Sequence, residues 1–256
     1  MKPMSRVAFI LAILPALFGV SCKNQPQNPQ QLPLGPDGKQ VLFAAFGTPV
    51  LDGSAADDVW EAAGWLNLDQ AWAGQPPAAA DCSGRYKLAW DENNLYILAE
   101  ITDDSLIDLY PQDLEHYWDD DCLIVCLDED ASGGGRQYDY SAFTYNIALD
   151  GRVTDLTSDS TYRNFDDHCL TRRITRGHVS TWEIAVRIFD GKQFLENGEH
   201  VPKLLKPGKK MGFALAYNDN DTSPERENLM GNVSIPAQIN VQKRLDAGMF
   251  GQLTLQ

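Results

Sequence analysis

The sequence predicts an all-β domain: a two-sheet antiparallel β-sandwich, jelly-roll or immunoglobulin-like in plan, with short helical insertions. Three observations carry that expectation. Short runs of β-branched, aromatic and aliphatic residues recur from about residue 41 onward. Polar turns such as Asp91-Glu92-Asn93-Asn94 and Asp150-Gly151 separate them. Stretches with the apolar period of an amphipathic helix are scarce.

The N-terminus precedes that domain and has a different composition. Lys2 and Arg6 lead a short apolar run from Val7 to Val20 that ends at Ser21-Cys22, the plan of a bacterial export signal. The run is short for a membrane span. Gly19-Val20-Ser21-Cys22 resembles a lipobox, so residues 1–22 are expected to be a lipoprotein signal peptide with Cys22 as the lipidated residue. Gly19 stands where an aliphatic residue is usual, and ordinary secretory cleavage nearby is the alternative. Lys23, where inner-membrane retention favours Asp, points to the outer membrane. Residues 23–40 are rich in Gln, Asn, Pro and Gly and bury too little to offset the entropy of ordering, so they read as a flexible tether. Residues 41–256 then suit one sizeable β domain. The expected location is the cell envelope, periplasmic or surface-facing.

Within the domain, Thr48 to Gly53 reads as an extended segment into a turn. Asp57 to Ala63 reads as a short helical turn with acids at its start and Trp60 plugging one end of the core. Arg85 to Trp90 and Leu95 to Ile101 form a hairpin by spacing. A turn of helix is expected at Pro111 to His116. Tyr117-Trp118-Asp119-Asp120-Asp121 introduces a buried strand, Cys122 to Asp128, whose flanking acids mark its exits to the surface. Further strands are expected from Tyr138 to Leu149, at 169–175, from Thr181 to Ile188, from Met211 to Asn218 and from Phe250 to Leu255, with a crossover helix between Gly191 and Pro207.

The chain carries 21 basic and 36 acidic residues, a net charge of −15, which becomes −17 once Lys2 and Arg6 leave with the signal. Such a surface repels nucleic acid and anionic headgroups and suits neutral ligands or divalent cations. Any membrane association is expected through the anchor alone. Cys122 and Cys126 lie about 13 Å apart along one strand, too far to bond each other; bridges to Cys82 or Cys169 and free buried thiols remain open. Asp128, Asp130 and Ser132, with Asp139 twelfth in the loop and Gly133 sixth, have the oxygen spacing of a calcium loop. The Asp119-Asp120-Asp121 run is an alternative cation seat. No G-x-S-x-G, H-E-x-x-H or dinucleotide fingerprint is present, and Gly133-Gly134-Gly135 lacks the Lys-Ser/Thr of a phosphate loop. His116, His168, His178 and His200 are widely spaced and are assigned to surface or loops.

Taken in order, Gly47 to Gly53, Asp58-Val59-Trp60, Leu88 to Ile97, Thr102-Asp103-Asp104 and Trp118 to Asp121 resemble the family 9 carbohydrate-binding module and its sugar-binding-like relatives. Trp182 to Val186, Gly212-Phe213, Asn218-Asp219 and Phe250 to Leu253 continue the pattern, which spans about residues 44–256. The resemblance implies a two-sheet sandwich, a sugar-binding face and structural calcium. It places Trp118 as the ring that stacks on a pyranose and Asn146 near a position that hydrogen-bonds hydroxyls, with Tyr117, Tyr145 and His116 as neighbours. The sequence departs from the pattern in three places. The stretch 242–250 has no second tryptophan to sandwich the sugar, leaving Arg244 to stack; Ile124 replaces a binding carboxylate; Thr144 replaces an arginine. Non-catalytic binding of a neutral oligo- or polysaccharide is the leading expectation. An envelope scaffold subunit with protein partners, a glycosidase role and haem binding through Met211, Met230 or Met249 are the alternatives.

Overall fold

The structure, a computed structural model, describes residues 32–111, 114, 116–134, 142–157, 159–189, 201–236 and 246–256. Its strands are β1 (Val41–Phe46), β2 (Leu66–Leu68), β3 (Gln70–Ala73), β4 (Cys82–Trp90), β5 (Leu95–Asp103), β6 (Cys122–Asp128) and β7 (Ala142–Ala148), then β8 (Val153–Leu156), β9 (Tyr162–Asn164), β10 (Cys169–Arg176), β11 (Val179–Val186), β12 (Lys210–Asp219), β13 (Asn228–Gly231) and β14 (Gly251–Leu255). One short helix, α1 (Asp58–Ala62), and a 3-10 turn at Ala247–Met249 complete the described elements.

The strands form a sandwich of two layers. One runs β10-β11-β5-β4 and the other β14-β12-β6-β7-β8-β9, each antiparallel throughout. The antiparallel expectation fails only at β1, which joins the layers: Val41–Ala44 pair in parallel with β14, and Ala45 and Phe46 pair in parallel with β4. On one edge of β12, β14 occupies Lys210–Phe213 and β13 occupies Ala216–Asp219, with β3 beyond β13. Period-two alternation sends Leu88, Trp90, Ile97, Trp182 and Ile184 from one layer against Leu123, Val125, Tyr145, Phe213 and Tyr217 from the other.

Both outer faces carry further apolar clusters. Trp72, from β3, covers Cys122, Ile124, Cys126, Ala214 and Ala216 on the β6–β12 layer. Gly231 permits that cover, because a Cβ there would lie 2.0 Å from the Trp72 ring. The loop and helix from Leu51 to Trp65 cover Ala89, Tyr96, Leu98 and Ala185 on the other layer. Trp60 is therefore fully buried, under that outer face and not at an end of the inter-sheet core as expected. Burial of these large side chains contributes on the order of 1.5–3 kcal/mol each. Exposed pairs such as Arg163–Asp159 contribute far less.

Glu183 fixes this cover. Its carboxylate is fully buried and accepts from the Asp52 and Gly53 backbone N–H groups at 2.8 and 2.6 Å and from Trp60 Nε1 at 2.9 Å. Gly53 has φ +80° and its missing Cβ would strike Ile174 at 2.6 Å, so only glycine presents that N–H here. Three separated sequence fragments thus meet at one carboxylate.

The structure decides one open alternative, that of the cysteines, and corrects other expectations. Cys82, Cys122, Cys126 and Cys169 are all free and buried. Cys82 and Cys169 face the inter-sheet core while Cys122 and Cys126 face outward, so the sheet itself separates the two pairs. His168 is not at the surface: it is fully buried, bonded to Tyr145 Oη at 2.7 Å and stacked on Phe189. Residues 32–40, expected in the tether, fold back on the domain, with Leu34 bridged to Gln40 and Leu32 packed on the core. The turn at Gly35–Gly38 closes through local backbone bonds. Met211 and Met230 are core residues. Residues 1–31, including Cys22, and most of the segment expected as a crossover helix lie outside the described residues.

Glu183→Ala leaves Trp60 Nε1 and three backbone donors, Asp52, Gly53 and Ser54 N, without their acceptor and should destabilise the domain by about 3–5 kcal/mol in urea unfolding. A loss under about 1 kcal/mol would show that the cover is held by packing alone.

Candidate functional site

The loop before β6 is built by its acids turning inward. Asp120 accepts from Leu109 N and Tyr110 N, each at 2.7 Å. Asp121 accepts from Ile107 N at 2.6 Å and Asn220 N at 2.8 Å. From β12, Asn218 Nδ2 donates to Trp118 O and Asp120 O at 2.8 and 2.7 Å, and Asn220 Nδ2 donates to Asp119 O at 2.7 Å. Backbone and amide bonds thus clamp the loop from both sides and leave its aromatic side chains on the outside.

Those rings adjoin a cleft on the outer face of β6, β7 and β8. Tyr110, Tyr117, Asp120, Asn146, Arg152 and Thr154 line it, and it is a small open cleft, with a volume of about 20 Å³ available to the centre of a water-sized sphere. Asn146 is 7% exposed; its Nδ2 donates to Thr144 O at 3.0 Å. Trp118 packs edge-on to Tyr117 at 5.1 Å and tilted on Tyr162 of β9 at 5.6 Å. Partly exposed aromatic faces beside amide, hydroxyl and guanidinium groups match a sugar ring, which has an apolar C–H face and a polar rim.

Residues 51–256 match the family model described as carbohydrate family 9 binding domain-like. The chain belongs to that family. Among characterised relatives, endo-1,4-beta-xylanase A of Thermotoga neapolitana is 26% identical over 221 residues, covering 86% of this chain and 18% of the relative. The enzyme of the same name from Thermotoga maritima is also 26% identical, with the same coverage. The chain therefore spans less than a fifth of these relatives. A family 9 carbohydrate binding module of Caldicellulosiruptor kristjanssonii, solved with cellotriose, superposes with a TM-score of 0.64 at 20% identity, covering 85% of this chain and 94% of that one. A crystal structure of a Bacteroides uniformis protein superposes with a TM-score of 0.56 at 9% identity, covering 85% of this chain and 100% of that one. These superpositions show the family 9 fold.

Of the binding residues expected from sequence, Tyr117 and Asn146 line this cleft, and Trp118 packs edge-on against Tyr117 next to it. Arg244 lies outside the described residues. Ile124 is buried under the Trp72 cover, so the family carboxylate has no counterpart at that position. Arg152, paired with Asp150 at 2.7 Å, brings a guanidinium to the cleft that Thr144 does not supply. Tyr110, Tyr162, Arg152 and Thr154 were missed. Tyr162, Arg152 and Thr154 lie far from Trp118 in sequence and reach this region only through strand order, while Tyr110, eight residues before Trp118, sits in a loop with no readable pattern.

The second expected site, the loop after β6, is partly described. Asp128 accepts from Gly133 N at 2.7 Å and Asp130 from Ser132 N at 3.0 Å. Burial, with the Asp130 carboxyl adding, pushes Asp128 up to about 6. Asp139 lies outside the described residues. A denser carboxylate group stands behind the aromatic loop. Oxygens of Asp103, Asp121 and Asp219, all buried, lie within 4.8 Å of one another, and Asp81, Asp104 and Asp221 form a second such group. Burial, reinforced by the neighbouring acids, raises Asp121 to about 8 and Asp219 to about 6. Asp219 Oδ1 is buried with no hydrogen-bond partner. An all-oxygen donor set with an unsatisfied buried oxygen fits a hard cation such as calcium. Thr102-Asp103-Asp104 and Asn218-Asp219 are visible as sequence fragments, but nothing in one dimension brings them to Asp121.

Asn218→Ala removes both donors that hold Trp118 O and Asp120 O. It should cost about 2–3 kcal/mol in chemical denaturation and shift the emission of the Trp118 loop. Unchanged stability would mean that water replaces the clamp.

Proposed function

We propose that this chain is a non-catalytic carbohydrate-binding domain that takes a neutral oligo- or polysaccharide at the Trp118 cleft. The observation that carries the reading is the meeting of Tyr117 and Asn146 in one cleft, from a loop and a strand separated in sequence, with the Trp118 ring packed on Tyr117 beside it. Trp118 supplies an apolar face; Asn146, Thr154 and Arg152 supply donors and acceptors. Asp120 does not serve as an acid or base in this reading, because both its oxygens are spent on backbone N–H groups. The complexes with cellotriose and glucose of the Caldicellulosiruptor modules support saccharide as the ligand class.

In this reading, Asp103, Asp121 and Asp219 bind a structural calcium that neutralises their mutual repulsion and stiffens the loop carrying Trp118. Asp128, Asp130, Ser132 and Asp139 are a second calcium seat. The signal-like segment supports export, lipidation at Cys22 and attachment to the outer membrane, with the tether holding the domain off the bilayer. A scaffold role toward envelope proteins is the second reading, favoured by Ile124, which is buried where a sugar-binding carboxylate is expected. Co-purification of a defined envelope partner by a protein that binds no glycan would favour it.

Calorimetry against cellulose- and xylan-derived oligosaccharides tests the leading reading. Trp118→Ala should lower affinity about tenfold or more, and Asn146→Ala by a smaller factor, with both variants folded. Equal affinity in Trp118→Ala would remove the site. Calcium should raise the melting temperature of the wild-type domain, and Asp219→Asn should abolish most of the increase. An identical melting temperature in calcium and in chelator would exclude the cation.

A further inference from the structure

The rings at the site extend beyond Trp118. Tyr110 and His116 lie 5.1 Å apart, His116 and Trp118 6.1 Å, and Trp118 and Tyr162 5.6 Å, with interplanar tilts of 31°, 44° and 43°. Each of these rings keeps exposed surface. The row begins at the turn after β12, where Tyr110 Oη donates to Pro224 O at 3.4 Å, and ends on β9. The strand order between those points is β12-β6-β7-β8-β9. The three ring-to-ring steps together reach at most about 17 Å, a little under four inter-strand spacings. The strip therefore crosses the sheet obliquely, from the loop before β6 to Tyr162, which pairs with Leu156 of β8, with Asn146 of β7 and Thr154 of β8 in the cleft alongside.

Resting on the carbohydrate-binding reading, we infer that this strip takes the interior of an extended pyranose chain, contacted over several consecutive residues, and that Tyr162 is a second stacking ring. A recess for a chain end needs one sugar's width and a closed far side. Here the apolar surface continues past Trp118 to β9, the last strand of its layer among the described residues, so a bound chain can leave over that edge. Each ring-to-ring step is close to the length of one pyranose residue. Rings tilted on one another by 31–44° do not share a plane, which suits a single chain and not the flat face of a crystal. The polar groups lie along one side of the strip, where they meet hydroxyls of successive residues.

The test uses cellohexaose and xylohexaose, each also as its borohydride-reduced alditol, with the full mature chain in calorimetry. For a hexaose that binds, the alditol should bind within about twofold of the parent, and affinity should rise from the trisaccharide to the hexasaccharide. Tyr162→Ala should weaken hexasaccharide binding about fivefold or more, while Tyr162→Phe, which keeps the ring, should stay within about twofold of wild type. Loss of binding on reduction, or no change in Tyr162→Ala, overturns the inference and leaves carbohydrate binding intact. Failure of the wild-type protein to bind any of the probes overturns the underlying reading as well. If Tyr162→Ala does not fold, the alditol comparison and the length series decide alone.

Discussion

Carboxylates from three strand ends, Asp103 of β5, Asp121 at the start of β6 and Asp219 of β12, converge in the interior behind the loop that carries Trp118. Buried like charges whose oxygens lie within 4.8 Å of one another cannot all remain ionised without compensation. The fold compensates in layers. Tyr217 Oη and Ser105 N serve Asp103, and Ile107 N and Asn220 N serve Asp121. Asn228 Nδ2 serves one oxygen of Asp219 and the other is left over. Each bond that satisfies an acid also fixes a stretch of backbone, so the demand for compensation shapes the whole rim. A proton or a divalent cation can meet what remains, and the all-oxygen donor set favours the cation.

The ligand-facing side follows from that inward turn. Because Asp120 and Asp121 spend their oxygens on backbone donors, the loop presents rings outward: Tyr110, His116, Tyr117 and Trp118, continued by Tyr162. The departures from the family pattern also find a place. Ile124 belongs to an apolar cluster sealed by Trp72, and its burial there is incompatible with a charged sugar contact. Arg152 and Thr154, from β8 and the turn before it, supply polar groups on the side where Thr144 does not.

Much of the architecture was legible in the sequence. The hairpin of β4 and β5, the strand Cys122–Asp128 and the alternation Trp182, Ile184, Val186 have enough length for the period of two to show. Strands β2, β3, β8, β9 and β13 have only three or four residues each and carry no readable period. That gap hid Tyr162, which sits on β9, and so hid one end of the aromatic strip. The parallel docking of β1 between the layers was illegible for another reason, since six residues give no sign that their two ends pair with different sheets. His168 was misplaced because its burial depends on Tyr145 and Phe189, which only the folded chain brings to it. Trp118 was found through its acidic neighbours, whereas Asp103 and Asp219 were seen only as fragments of a family pattern.

The six tryptophans allow a direct measurement. Trp60, Trp72, Trp90 and Trp182 are buried, and of the two with appreciable exposure, Trp65 is sandwiched with Arg85 on the opposite layer while Trp118 stands at the cleft. Indole N–H resonances followed by heteronuclear NMR during titration with a neutral oligosaccharide distinguish them. Perturbation centred on the Trp118 indole, saturable and lost in Trp118→Phe, is the result expected of a sugar seated on the aromatic strip. Perturbation centred on Trp65, with Trp118 unmoved, would contradict it.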